Sequence, residues 1–251
     1  MDLGLEGRVA LVLGASKGIG RGIARSLARE GARVAVSARK AGPLESLASE
    51  LGGAAAAFPA DTGDLEAMRA LAADVMDRLG PIEILVLNTG GPPAGAALDN
   101  PIEEWDAAYR SLVLAPRVLV EAVVPGMRER GWGRIISVSS SSIREPIAHL
   151  ALSNSNRMAT LGLLNTLAPE VASDGITVNT IATGRFATDR IASMYGGSME
   201  EAERRASEDV PVARLGTPEE YGNLVAFVCS ERAAYLTGAV IPLDGGLTRS
   251  S

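Results

Sequence analysis

The chain has 251 residues, of which 47% are hydrophobic and only 4% aromatic, and its formal net charge is −6. This acidic balance disfavours binding to nucleic acid or to an anionic membrane surface. No apolar run reaches membrane-spanning length, and the first residues lack the basic start and apolar stretch of a signal peptide. We therefore expect a cytoplasmic protein, with no membrane or nucleic-acid partner. The single cysteine, Cys229, excludes an internal disulfide.

A glycine-rich stretch lies close to the start of the chain. It follows an apolar run at 9–13 that predicts a buried strand, and it precedes isoleucines and leucines at helical spacing, namely Ile19, Ile23 and Leu27. The glycines of this strand-to-helix turn are Gly14, Gly18 and Gly20. They permit backbone angles closed to other residues, and the helix N-terminus beyond them suits a phosphate group. The stretch predicts nucleotide binding.

Further strands and helices alternate along the chain. Strands are predicted at 33–37, 54–60, 82–87, 134–138, 176–182 and 239–243, and helices at 43–51, 65–79, 103–130, 148–172 and 218–229. Pro116 is expected to kink the long helix at 103–130. Such alternation predicts an α/β fold: a single-domain, doubly wound parallel sheet over 1–251, Rossmann-like, with helices on both faces.

The segment at 185–210 is polar and charged, unlike the apolar strands and helices around it. It follows the carboxyl end of a strand, where such sheets bind ligands, which favours a mobile substrate lid. A solvated helical excursion is the alternative.

The order and spacing of several motifs resemble the short-chain dehydrogenase/reductase family over nearly the whole chain, with β-ketoacyl-acyl-carrier-protein reductases as the most similar branch. The motifs are Gly14-x-x-x-Gly18-x-Gly20, Asp61, Asn88-Thr89-Gly90-Gly91, Ser139-Ser140, Gly175-Ile176-Thr177-Val178-Asn179 and Leu243-Asp244-Gly245-Gly246. The resemblance implies a dinucleotide cofactor and a small carbonyl or acyl substrate. A specificity like that of 3-oxoacyl reductases is one possibility within it. No metal site is expected.

The cofactor expected from this resemblance is NADP(H), preferred over NAD(H). An acidic residue ending the second strand would bind the ribose hydroxyls of NAD, but this chain has Ser37-Ala38-Arg39-Lys40 there, and Lys17 in the turn. Arg39 and Lys17 could both pair with a 2′-phosphate, unless they are ordinary surface cations. The full expected cofactor set is Gly14, Ser16, Lys17, Gly18, Ile19, Gly20, Ser37, Arg39, Lys40, Asp61, Thr62, Asn88, Gly90, Arg157, Gly184 and Thr188.

The catalytic positions depart from the family pattern of serine, Tyr-x-x-x-Lys and asparagine. The serine position falls at Ser140, whereas the tyrosine falls at Ser153, the lysine at Arg157 and the asparagine at Leu112. A serine hydroxyl is shorter and far less acidic than a phenol. Arginine keeps the positive charge but presents a planar fork. The family mechanism therefore cannot be carried over unchanged.

His149, the only histidine, is one candidate for the missing proton donor. It stands four residues before Ser153 and eight before Arg157, which predicts one helix face for all three. We hypothesise that His149 or Ser140, directly or through water, replaces the tyrosine; the alternative is that His149 has no chemical role. Two functions stay open: an oxidoreductase with altered proton transfer, and an inactive NADP(H)-binding sensor or hetero-oligomer partner.

The family resemblance also implies self-association, as a homodimer or homotetramer. Apolar side chains on two helices are the expected contact faces, namely Val113, Val120, Val124, Leu161 and Leu164.

Overall fold

A computed structural model of the chain describes residues 1–53 and 55–249. The predicted third strand includes Ala54, and the predicted domain includes Ser250 and Ser251; these three residues lie outside the described part. Within that part, seven parallel strands form one sheet in the order β3-β2-β1-β4-β5-β6-β7. The strands are β1 (Val9–Leu13), β2 (Arg33–Ala38), β3 (Ala55–Pro59), β4 (Ile84–Leu87), β5 (Gly133–Val138), β6 (Ile176–Thr183) and β7 (Val240–Leu243).

Helices cover both faces of this sheet. They are α1 (Gly18–Arg29), α2 (Ala41–Leu51), α3 (Leu65–Leu79), α4 (Ile102–Tyr109), α5 (Ala115–Arg130), α6 (Ala151–Val171), α7 (Asp189–Met194), α8 (Met199–Asp209) and α9 (Pro218–Cys229). One core contains side chains of α1, α2 and α9, and the other contains side chains of α3, α5 and α6. The predicted doubly wound, Rossmann-like fold is confirmed.

The period-two alternation of the strands explains why there are two cores. In β1, Val9, Leu11 and Leu13 belong to one core, and Ala10 and Val12 to the other. Every residue of the strand is buried, as expected for a parallel sheet covered on both faces. The strand order reverses between β1 and β4, and such a switch point opens a crevice at the carboxyl ends of the strands.

The long helix predicted at 103–130 is divided into α4 and α5. A π-helical turn, Arg110–Leu114, separates them, so the irregularity precedes the predicted kink at Pro116. Proline has no N–H to donate to the carbonyl of Leu112, four residues earlier. That carbonyl instead accepts a hydrogen bond of 2.6 Å from the Thr160 hydroxyl of α6. The turn is therefore joined to the neighbouring helix.

Two other expectations are corrected by the fold. Helix α6 begins at Ala151, and His149 precedes it with a left-handed backbone (φ 58°), so His149 does not share a helix face with Ser153 and Arg157. Val113, Val120, Val124 and Leu164 are buried within the monomer, and all but Val113 belong to the core beneath α3 and α5. They cannot form the expected contact face, because their apolar surface is already covered.

The segment 185–210 forms α7 and α8 and has a small core of its own. Four of its buried residues pack with Leu215 in a cluster separate from the two main cores, namely Ile191, Ala202, Ala206 and Val210. Phe186, near the start of the segment, belongs instead to the core of α1, α2 and α9. The structure thus shows a helical excursion with few ties to the sheet, while movement as a lid stays a prediction. Among the described residues, no helix is both long and apolar enough to cross a membrane.

The contact between α1 and α9 leads to a test of the packing. A Cβ added to Gly22 would lie 2.1 Å from the Pro218 carbonyl oxygen, so Gly22→Ala must push the two helices apart. We expect it to lower the free energy of unfolding by about 1–3 kcal/mol in urea denaturation. Gly42→Ala is the matched control: Gly42 also lies in a helix, and nothing stands within 4 Å of its added Cβ. Equal stability losses in both variants would contradict this packing.

Candidate active site

The glycine turn forms a tight cradle between β1 and α1. Gly14 and Gly18 have φ of 58° and 54°, a region that L side chains rarely adopt. A Cβ on Gly14 would lie 2.5 Å from the Asn88 carbonyl oxygen, and a Cβ on Gly20 would lie 2.3 Å from the Gly14 carbonyl oxygen. The Asn88 side chain also donates a hydrogen bond to the Gly14 carbonyl, at 3.3 Å. The turn therefore joins the ends of β1 and β4 at the switch point.

The start of α1 fits the diphosphate of a dinucleotide. Lys17 is its N-cap, but no side chain accepts a hydrogen bond from the first turn, and that turn contains no acidic residue. The exposed N–H groups and the positive end of the helix dipole would favour an anion at this point. Ser16 and Ile19 lie half-buried in the same turn.

The end of β2 carries the residues expected to distinguish the two cofactors. Ser37 is buried and its carbonyl accepts a hydrogen bond from the Ala15 N–H at 3.0 Å, which holds the strand end against the glycine turn. Arg39 and Lys40 are exposed, and Lys40 is the N-cap of α2. Two cations and no acid stand here, which suits a 2′-phosphate better than a free ribose.

Lys17 has a different partner from the one expected. Its ammonium group forms an ion pair of 2.7 Å with Asp189, the first residue of α7, and both side chains are largely exposed. The Thr188 side chain would lie 3.1 Å from a Cβ on Gly18, so α7 approaches the glycine turn at two adjacent positions. An exposed pair of this kind contributes only about 0–1 kcal/mol, so contact between Lys17 and a phosphate stays a prediction.

The remaining expected cofactor residues lie after the strand ends. Asp61 accepts a hydrogen bond from Gly63 N–H at 2.9 Å, and Thr62 is half-buried beside it. Gly90 is exposed and has open space around it. Gly184 packs closely against Asp244, since an added Cβ would lie 2.5 Å from the Asp244 Cα. These positions are compatible with a cofactor extended along this edge.

The Arg157 guanidinium connects the predicted catalytic helix to the sheet. Its Nη1 donates to the Val138 carbonyl, the last of β5, at 3.0 Å, and its Nε donates to the Ser153 hydroxyl at 3.1 Å. Ser153 is buried, and its own hydrogen has no acceptor among the residues that the structure describes. Ser153 therefore accepts a hydrogen bond from a cation, and its own hydrogen is free to be donated in a hydrogen bond.

Arg157 keeps its charge despite its partly buried position. Loss of hydration lowers its pKa to about 10; the nearby Tyr221 opposes the shift, and the positive charge of Arg190 adds to it. At neutral pH the guanidinium stays protonated. It borders a cavity of about 10 Å³, lined also by Thr89, Ser137 and Thr160, which is about the volume that one water molecule needs.

The other two predicted catalytic residues differ in their surroundings. Ser140 follows β5, is half-buried, and accepts a hydrogen bond from the Ser142 N–H at 3.1 Å. Its hydrogen has no acceptor within the described part of the chain. His149 is exposed, and its carbonyl accepts a hydrogen bond from the Gly95 N–H at 2.8 Å. That backbone bond accounts for its position without any chemistry of the ring.

Two residues near the site were missed by the sequence reasoning. Arg190, in the first turn of α7, donates from Nη2 to the Pro92 carbonyl at 3.2 Å. Thr160 lies three residues after Arg157, so helical spacing could have placed it on the same face. Cys229, by contrast, is buried, and burial raises its pKa to about 12, which makes it unreactive. No cluster of three or more potential metal ligands occurs among the described residues.

One edge of the sheet thus carries a glycine cradle, an uncapped helix N-terminus and a hydroxyl–guanidinium pair. Together they define a dinucleotide-binding α/β oxidoreductase site. A family profile described as "Enoyl-(Acyl carrier protein) reductase" matches residues 14–248. The chain belongs to the short-chain dehydrogenase/reductase family, which confirms the predicted family and supports the prediction that it is an enzyme.

Individual relatives agree with this assignment. The chain is 36% identical over 246 residues to dehydrogenase/reductase SDR family member 4 of Homo sapiens, covering 96% of this chain and 88% of that protein. It is 34% identical over 245 residues to 3-oxoacyl-(acyl-carrier-protein) reductase of Vibrio cholerae, covering 98% and 99%. L-sorbose reductase of Gluconobacter frateurii, solved with NADPH and L-sorbose, superposes with a TM-score of 0.93, 32% identity and full coverage of both chains.

Proposed function

We propose that the protein is an NADPH-dependent carbonyl reductase in which a serine and an arginine replace the usual tyrosine and lysine. The observation that carries this proposal is the hydrogen bond from Arg157 Nε to Ser153 Oγ, at the carboxyl end of β5. It holds a buried proton donor beside a positive charge, next to a turn that fits a dinucleotide. The complex of L-sorbose reductase with NADPH supports the same cofactor here.

NADP(H) would be held along the strand ends and would supply the hydride when bound. The glycine turn would hold its diphosphate, and Arg39, Lys40 and Ser37 would receive the 2′-phosphate of the adenosine. Within the described part of the chain Arg157 Nη2 has no acceptor, so it could donate to the nicotinamide ribose. The absence of an acid at the end of β2 favours NADP(H) over NAD(H).

The proton would come from the chain's own hydroxyl groups. Ser140 donates a hydrogen bond to the substrate carbonyl oxygen and fixes its position. Ser153 donates the proton that converts this oxygen to a hydroxyl, and the Arg157 charge stabilises the serine oxygen meanwhile. His149 is the less favoured donor, because it is exposed and lies before the helix.

The substrate is proposed only as a small carbonyl compound. The similarity to the Vibrio cholerae reductase favours a 3-oxoacyl thioester, and that to L-sorbose reductase favours a ketose. The second candidate function is NADP(H) binding without turnover, as a sensor or partner subunit. It is favoured by the lack of any tyrosine on α6.

We also propose that the protein forms a homodimer or homotetramer, as its family resemblance implies. Met158 of α6 and Tyr109 of α4 each expose nearly half of their surface, so these helices retain apolar side chains that a second copy could cover. Light scattering should give a mass of two or four chains. A monomeric mass at micromolar concentration would contradict this.

Arg39→Ala tests the cofactor preference. Loss of a charge-assisted hydrogen bond should raise the NADPH dissociation constant about 10- to 100-fold and leave that of NADH nearly unchanged. NADPH fluorescence titration measures both. Arg33→Ala is the matched control, because Arg33 is an exposed arginine at the opposite end of the same strand. Equal effects on both cofactors would remove Arg39 from the phosphate site.

Ser153→Ala tests the proton donor. We expect kcat for NADPH oxidation by a panel of ketones, ketoses and 3-oxoacyl thioesters to fall about 10²- to 10⁴-fold. NADPH affinity should be unchanged, and Ser153→Thr should restore part of the rate. A loss confined to His149→Ala would assign the donor to the histidine. NADPH binding without oxidation by any carbonyl would favour the second candidate function.

A further inference from the structure

Two guanidinium groups contact carbonyls at or beyond the carboxyl ends of adjacent central strands. Arg157 contacts the Val138 carbonyl at the end of β5, and Arg190 contacts the Pro92 carbonyl in the loop after β4. β4 and β5 are hydrogen-bonded neighbours. Both groups therefore border the crevice in which a carbonyl substrate of the proposed reductase would lie.

Neither guanidinium is neutralised by the protein. The partners of Arg157 are Ser153 and the Val138 carbonyl, and the partner of Arg190 is the Pro92 carbonyl; within residues 1–53 and 55–249 neither pairs with a carboxylate. Elsewhere on the lid segment, Arg185, Arg204 and Arg205 all have acidic partners. The two charges also repel each other, and the pKa of Arg157 is lowered partly by Arg190. An anion between them would relieve this repulsion.

The position of Arg190 is fixed by its neighbours on both sides. A Cβ on Gly91 would lie 3.0 Å from Arg190 Cζ, so the guanidinium rests on a loop position that has no side chain. The loop continues as Pro92-Pro93, which restricts its backbone. The preceding residue, Asp189, is paired with Lys17. Arg190 is therefore held against the loop after β4, even though its own side chain is exposed.

We propose that Arg190, together with Arg157, selects a substrate that carries a free carboxylate near the carbonyl to be reduced, that is, a small oxo acid. The planar fork of a guanidinium matches a carboxylate with two parallel hydrogen bonds. A thioester or a ketose offers no negative charge at this position. The inference rests on the proposed reductase function and narrows its substrate class.

The test compares an oxo acid with its neutral ester. Acetoacetate and ethyl acetoacetate carry the same ketone, and NADPH oxidation is followed for each. The unmodified protein should favour the acid in kcat/KM by at least about tenfold. Arg190→Gln should lower kcat/KM for the acid about 10- to 100-fold, mainly by raising KM. The same variant should change kcat/KM for the ester less than about threefold. Arg190→Lys should recover part of the loss.

Arg205→Gln serves as the control variant. It removes one positive charge from the same segment, at an exposed position on α8. Glu201, the partner of Arg205, stays paired with Arg204. It should leave both substrates unaffected. Equal use of acid and ester by the unmodified protein, or equal losses for both in Arg190→Gln, would overturn the proposal. The proposal would also be overturned if Arg190→Gln raised the NADPH dissociation constant but left the ratio of kcat/KM for acid and ester unchanged. The Arg190 charge would then bind the diphosphate of the cofactor.

A binding measurement separates this proposal from the reductase function itself. Malonate carries carboxylates without a ketone, and malonamide is its neutral analogue; both are titrated calorimetrically into the NADPH-loaded protein. Binding of malonate but not malonamide, lost in Arg190→Gln, would support the carboxylate site even if no ketone were reduced. Reduction of neutral ketones without malonate binding would overturn the site and leave the reductase function intact.

Discussion

The hydrogen bond from the Arg157 guanidinium to the last carbonyl of β5 sets the arrangement of the whole candidate site. It ties the middle of α6 to the sheet edge where the glycine turn and the loop after β4 also end. Through the same guanidinium it holds the Ser153 hydroxyl, and its charge acts on everything placed in the crevice. Burial and the nearby Arg190 lower the pKa of this group to about 10, so it still carries its charge at neutral pH. The chemistry of the site therefore starts from an excess of positive charge.

Much of the fold could be predicted from the sequence, because local patterns and the global topology agree. Continuous apolar runs such as Val9–Leu13 are buried on both faces, and Gly14 and Gly18 adopt the positive φ angles that a glycine-rich turn permits. The position of Arg157 could also be predicted, since motifs on both sides fixed the alignment. Those features depend on nearest neighbours along the chain or on the sheet period. They carry over directly from sequence to structure.

The features that escaped prediction depend on contacts between distant segments. His149 matches a helical spacing, but a left-handed backbone and a bond to Gly95 end the pattern two residues before the helix begins. The π-helical turn before Pro116 depends on Thr160, a partner more than forty residues away. The direction of Arg190 is set by Gly91 and Pro92. Apolar periodicity also cannot distinguish a face that packs inside the monomer from one that meets another copy, as Val120 and Val124 demonstrate.

In the proposed mechanism, positive charge would offset part of what the missing tyrosine supplies in the family pattern. A missing general acid costs about 10²- to 10⁴-fold in rate, and a single well-placed donor to a developing oxyanion is worth about 10²- to 10³-fold. When a ketone is reduced, negative charge develops on its oxygen before the proton arrives. In the proposed mechanism Arg157, which contacts the last carbonyl of β5 and is partly shielded from water, would supply positive charge near this oxygen. With the negative charge held in this way, the proposed proton transfer from the weakly acidic Ser153 would not have to keep pace with hydride transfer.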